Sequence, residues 1–146
     1  MTEGAFFQIL LLIWLTLALA VFVVLIFFSA PYGRLAKKGF GPSLPGRLSW
    51  LLMEAPASLA FGYFFGVGER RDSVAAWAFF AMWQFHYLYR AFLYPFQLRG
   101  QARRMPVSVV GMGIFHNLVN AYLNGRYLFT FSGGYPTRWI AGFPFV

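Results

Sequence analysis

The stretch Trp83-Gln84-Phe85-His86-Tyr87-Leu88-Tyr89-Arg90-Ala91-Phe92-Leu93-Tyr94-Pro95-Phe96-Gln97-Leu98-Arg99, running on to a basic turn that closes at Arg104, decides how this chain is read. It ends a long apolar segment of the kind that belongs in a membrane, yet that segment carries a His, three Tyr and an Arg. Polar groups are costly in hydrocarbon, so they usually face a bundle interior or a cavity and mark a function. On a helix, Trp83, Tyr87, Arg90 and Tyr94 share one face, because residues three and four apart are neighbours. Such a face suits the polar end of an otherwise apolar ligand.

The rest of the composition agrees with a membrane setting. The 146 residues are 60% hydrophobic and 22% aromatic, with only 11% charged, more apolar surface than a soluble domain of this size can hide. The net charge of +8 does not indicate nucleic acid. The basic residues sit in short loops between apolar runs, as the topology rule for membrane proteins predicts. Cysteine is absent, which excludes disulfides and thiolate metal sites. Two His and four acids, widely scattered, make no metal-binding motif.

Working outward, the apolar runs predict an all-α, multi-pass transmembrane helical bundle with spans at about 6–29, 48–66, 73–97 and 106–131, within a single membrane domain. A fifth apolar segment starts near Trp139. A signal peptide is a poor account of the first run, which lacks a basic leader and is too long. Pro31-Tyr32-Gly33 ends that run. Arg34, Lys37, Lys38 and Arg47 make the next loop basic, and its Gly and Pro residues make it non-helical. Ser49 is a candidate cap for the second span. Asp72 or Ser73 is a candidate cap for the third, and Pro106 suits the first turn of the fourth. The second span holds Glu54, the only acid in any expected span, and Pro56, read as a kink near the membrane surface. The first loop carries +4 and the third +3, against zero for the loop Glu69-Arg70-Arg71-Asp72. The two basic loops are therefore expected in the cytoplasm and the N-terminus outside. A bacterial inner membrane is expected rather than the endoplasmic reticulum, on the short N-terminus and the lack of cysteine.

Three blocks together resemble the steroid 5α-reductase family. The first is Trp50-Leu51-Leu52-Met53-Glu54-Ala55-Pro56-Ala57-Ser58. The second is His86-Tyr87-x-x-Arg90 with Tyr94-Pro95-Phe96 and Arg99-Gly100. The third is Met105-Pro106, then Asn120-Ala121-Tyr122-Leu123 and Arg126-Tyr127-Leu128. Met53 stands where the family usually has Gln, and Ala121 where it has Gly. The resemblance covers roughly residues 30–146. It implies a seven-span fold of which this chain is the N-terminal half, with the C-terminal half as partner and supplier of most of the NADPH site.

The resemblance also implies reduction of a 4-ene-3-oxosteroid by hydride from NADPH. Hydride addition to the enone pushes negative charge onto the carbonyl oxygen, and a donor aimed there is typically worth ~3–4 kcal/mol in a water-excluded site. Tyr87 fits that role. Glu54, a carboxylic acid kept neutral by burial, is expected to share it, as in the ketosteroid isomerase pattern. At ~1.5 Å per residue the two lie within roughly one turn of depth of each other. Trp50 and Met53 are expected to wall the steroid. Tyr32 and Arg34 match a family position near the cofactor. Arg99, Arg103 and Arg104 are topology signals that are also well placed for an anionic nucleotide.

Other polar residues receive plainer readings. His86 sits one position off the Tyr87 face and is read as packing. Arg90 is read as a structural partner of Glu54, with a cofactor phosphate as the alternative. Asn117, Asn120 and Asn124, at i, i+3 and i+7, read as helix–helix glue, with Asn120 orienting neighbours of the pocket by resemblance. Two rival functions stand beside the first: a related enoyl-thioester or polyprenol reductase, and a non-catalytic lipid-binding membrane subunit. Expected partners are a steroid or other apolar lipid and membrane lipids, and no nucleic acid.

Overall fold

The computed structural model describes residues 1–28, 41–97 and 104–137, and it is mostly helical. It divides into two compact units, Met1–Phe40 and Gly41–Val146. The first unit is built on α1, Glu3–Phe27. Thr2 caps it, its side chain accepting from the Ala5 amide at 3.3 Å. Thr16, alone in a long aliphatic stretch, returns its hydroxyl to the Leu12 carbonyl at 2.8 Å, so α1 shows little unsatisfied polarity along its length. The expected fifth apolar segment at Trp139 lies outside the described residues.

The second unit opens with a two-residue strand, β1 (Ser43–Leu44), and then α2 (Gly46–Gly66), α3 (Val74–Leu88), a π-helical turn (Tyr89–Leu93) and α4 (Tyr94–Gln97). A second short strand, β2 (Met105–Pro106), leads into α5 (Val107–Arg126) and a further π-helical turn (Tyr127–Phe131). Of the described helices, α1 and α2 are each long and apolar enough to cross a membrane.

Several starts and stops follow local chemistry. Ser73 caps α3 by accepting from the Ala76 amide at 3.0 Å. Ser49 does not cap α2. The helix already begins at Gly46, behind Pro45, and the Ser49 hydroxyl donates back to the Pro45 carbonyl at 3.0 Å. A Ser one turn inside a helix satisfies itself in this way instead of holding the first amides. The helical run beyond α3 widens into its π turn just before Pro95, with the Tyr94 amide reaching back to Tyr89. Pro95 has no amide to give the Ala91 carbonyl, and the wide turn lets the chain continue past it.

The strands pair antiparallel, Ser43 with Pro106 and Leu44 with Met105. The Val107 amide adds a bond to the Pro42 carbonyl at 2.9 Å. This ribbon joins the loop before α2 to the loop before α5, so both helices start at the same end of the unit.

α5 lies close along α2. A Cβ added at Gly113 would come within 2.7 Å of Met53 Sδ, and one at Gly125 within 2.8 Å of Phe64 Cβ. Glycine at these positions is what permits the approach. Asn117 and Ala121, spaced between them at four-residue intervals, are both buried. α3 is tied to α2 by Trp83 Nε1 on the Ala57 carbonyl (3.1 Å) and Gln84 Nε2 on the Ser58 carbonyl (3.0 Å). The Ser58 hydroxyl donates in turn to Gln84 Oε1. Toward the far end of α2 an aromatic core forms. Phe61 stacks on Trp83 with centroids 4.1 Å apart and planes 7° apart, and it meets Phe129 edge-on at 5.1 Å. Phe65 stacks on Phe80 at 4.4 Å.

Candidate active site

The first half of α2 collects the polar residues of the bundle. α2 presents Trp50 and Glu54 one turn apart, and the π turn after α3 delivers Arg90 to both. Arg90 donates from Nε (3.0 Å) and Nη2 (2.7 Å) to the same oxygen, Glu54 Oε1. Its guanidinium carbon stands 4.9 Å from the Trp50 ring centroid and 5.9 Å from that of Tyr94. Those two rings meet edge-on at 5.0 Å. Glu54 is 5% exposed, so its charge is met by an ion pair rather than by water. Its other oxygen accepts from Asn117 Nδ2 at 3.4 Å, and the same amide donates to the Met53 carbonyl at 2.6 Å. Asn117 therefore reads as the helix–helix tie expected of it, with the candidate carboxylate as one of its anchors.

The pairing of Arg90 with Glu54 read from the sequence is the one the structure shows, and in each of these contacts the Glu54 carboxyl is the acceptor.

Tyr87 is held separately. Its ring lies 4.7 Å from Trp83 and 5.1 Å from His86, edge-on to the latter. Its hydroxyl accepts from Asn120 Nδ2 at 3.3 Å. No bond joins Tyr87 directly to Glu54 among the described residues. α5 is thus the organiser of the pair. Asn117 meets Glu54, and Asn120, three residues on, meets Tyr87.

Sequence reasoning put Trp83, Tyr87, Arg90 and Tyr94 on one face. The structure brings Arg90, Tyr94 and Trp50 into one cluster and Trp83, Tyr87 and Asn120 into the next. The Met53 side chain packs onto Gly113 of α5. His86 is exposed. Gln84, given no role from the sequence, proves to be a main tie between α2 and α3. A lone amide in an apolar run, one residue from a Trp with a ring N–H to satisfy, is the signal that would have found it.

Of the residues expected to meet NADPH, Tyr32, Arg34, Arg99 and Arg103 lie outside the described residues. Arg104 is described, and it donates from Nε to Ser43 Oγ (2.9 Å) and from Nη2 to the Ser43 carbonyl. Arg47 lies over the Phe96 ring at 5.1 Å. The described cations at this end are thus engaged with Glu54, Ser43 and an aromatic ring, and by themselves they do not make up a diphosphate site.

No family model matches the chain. Individual relatives do. A steroid 5-alpha-reductase DET2 of Gossypium hirsutum is 32% identical over 137 residues, 92% of this chain and 53% of that protein. A 3-oxo-5-alpha-steroid 4-dehydrogenase 1 of Bos taurus is 31% identical over 116 residues, 77% of this chain and 45% of its own length. The Homo sapiens protein of the same name is 35% identical over 100 residues, 66% of this chain and 38% of its own. The resemblance read from the sequence is borne out, and the chain spans about half the length of the curated relatives it matches.

Proposed function

We propose that this chain, homologous to steroid 5α-reductases over about half of their length, is a membrane-embedded part of a reductase that saturates the Δ4 bond of a 3-oxosteroid. The observation that carries the reading is the Tyr87 hydroxyl. It accepts from Asn120, and its own proton has no acceptor among the described residues. A phenol held in this way is a donor awaiting an oxygen.

NADPH is the proposed source of hydride. As charge develops on the 3-oxo oxygen, Tyr87 meets it with a hydrogen bond that strengthens toward the transition state, which is the condition for raising kcat. In the ion-paired state Glu54 helps by fixing Arg90 and the α2–α5 spacing beside Tyr87. It joins as a second donor only when protonated, because only then does it have an O–H to offer. Trp50, backed by Arg90 and Tyr94, offers an aromatic wall to a flat apolar ring system, while Met53 packs onto Gly113 of α5. The remaining half of the fold is the proposed partner and the proposed holder of most of the cofactor.

The direct test is turnover. Lipid-reconstituted chain is assayed with NADPH and progesterone, alone and with the C-terminal half of a homologous reductase. Reduction should require both pieces. Robust reduction by the chain alone would show that the cofactor binds within these residues. No reduction by a folded pair, alongside turnover of an enoyl thioester, would transfer the assignment to that reductase class.

A further part of the reading is four membrane spans with the two basic loops on one side, and the ribbon of β1 and β2, which joins those two loops, supports the shared side. Reporter fusions after Lys38 and Arg104 should give a cytoplasmic signal and a fusion after Arg71 an outside one. An outside signal at Lys38 overturns that topology and the side from which NADPH enters.

A further inference from the structure

The direction of the Tyr87 hydrogen bond can be traced back to a group that has no choice. On α5, Asn124 Nδ2 donates to two oxygens of Asn120, the backbone carbonyl and the side-chain Oδ1, each at 2.9 Å. A backbone carbonyl only accepts, so the Asn124 amide must present its NH2 there. The same NH2 then fixes Asn120 with its Oδ1 toward Asn124, which leaves the Asn120 Nδ2 pointing at the Tyr87 hydroxyl, 3.3 Å away. Turning over the Asn120 amide would set two NH2 groups against each other. The Tyr87 ring is itself braced by Trp83 and His86, so the hydroxyl torsion is the remaining freedom, and this chain of bonds settles it.

We propose that Asn124 and Asn120 form a one-way hydrogen-bond relay that forces the Tyr87 hydroxyl to accept from α5 and so to direct its proton into the substrate site. The two are positioning residues; only Tyr87 would touch the steroid. The relay has two effects. It prevents Tyr87 from using its proton on its nearest polar neighbour. It also polarises the O–H, because a hydroxyl that accepts a hydrogen bond becomes a better donor. Its use in catalysis rests on the proposed reductase reading, whereas the direction of the relay does not.

The relay can be read without substrate. The phenol C–O stretch falls when the hydroxyl accepts and rises when it donates, since donation shifts the ring toward the phenolate form with its stronger C–O bond. The Tyr87 band is isolated by infrared difference between wild-type chain and Tyr87→Phe, both in lipid nanodiscs with ring-labelled tyrosine. Asn120→Asp keeps the shape and removes the NH2, so Tyr87 should turn its proton onto the new carboxylate and the band should rise. Asn124→Asp, with the folded species confirmed by detergent chromatography, should turn the Asn120 amide over and also raise the band. In the assembled enzyme, kcat should fall toward the level of Tyr87→Phe for Asn120→Asp and about tenfold for Asn124→Asp, with little change in KM. A wild-type band already at the donor position and unmoved by both variants overturns the relay. Rising bands together with near-normal kcat/KM in Tyr87→Phe retain the relay and overturn the catalytic reading instead.

Discussion

The two halves of α2 meet the same two neighbours, α3 and α5, by different means. From Phe61 onward the contacts are aromatic: Phe61 flat on Trp83, Phe65 flat on Phe80, and Phe129 edge-on to both Phe61 and Phe65. From Trp50 to Ser58 the contacts are directional: Arg90 on Glu54, Asn117 on Glu54 and the Met53 carbonyl, Trp83 and Gln84 on backbone carbonyls. Stacked rings tolerate small slides and supply packing energy. Hydrogen bonds to charged or backbone groups permit few geometries, and in a dry site each broken one is expensive. The aromatic half therefore holds the bundle together, while the polar half fixes where a reacting group would sit.

Substitutions can break or sharpen that contrast, and the largest effect is expected in the aromatic half. Phe61→Ala removes a side chain that is 0% exposed and opens a cavity against Trp83 and Phe129. The cost should be about 3–5 kcal/mol of stability, read as earlier loss of the folded species on heating in detergent. A loss of only a few tenths would mean that the polar half carries the fold as well.

Tyr87→Phe should show the opposite signature. Ring packing against Trp83 and His86 is kept, so folding should be near normal. In the assembled enzyme, kcat and kcat/KM should both fall by roughly a hundredfold or more, as for the loss of an oxyanion-type donor. His86→Phe, one position away and exposed, is the control and should change little. Near-normal turnover in folded Tyr87→Phe would return this Tyr to a packing role.

The Glu54–Arg90 pair offers a smaller and more pointed test. Glu54→Gln, Arg90→Met and the double variant form a cycle in thermal stability. The singles should each destabilise, Arg90→Met by leaving the buried Glu54 without its partner and Glu54→Gln by weakening the bond to Arg90, and the double should cost less than their sum, with coupling of roughly 0.5–3 kcal/mol. Additive losses would show that the bond contributes nothing as a pair and that Arg90 is held by Trp50 and Tyr94 alone.

Much of this protein was determined by its sequence. Uninterrupted apolar runs can only be helices if they enter lipid, since no water is there to satisfy the backbone. The long helical runs accordingly lie close to where the apolar runs and the breakers at Pro, Gly and the charged loops put them. Ser73 is a cap because its hydroxyl falls at the one position that can reach the first free amides. The same local logic misjudged Ser49, because α2 starts four residues earlier, directly behind the strand that pairs with β2. What only the tertiary structure decided is who meets whom. Spacing along one helix put Tyr87 and Arg90 on a common face and Glu54 at similar depth, which made Arg90 a structural partner for Glu54, as the structure has it, and Tyr87 and Glu54 a pair that could meet, which among the described residues no bond joins. The π turn rotates Arg90 onto Glu54, and the close approach of α5, allowed by Gly113 and Gly125, inserts Asn117 and Asn120 as the two side chains' separate partners. Helical phase beyond a wide turn and the distance between two helices depend on contacts far apart in the chain, and no local pattern encodes them.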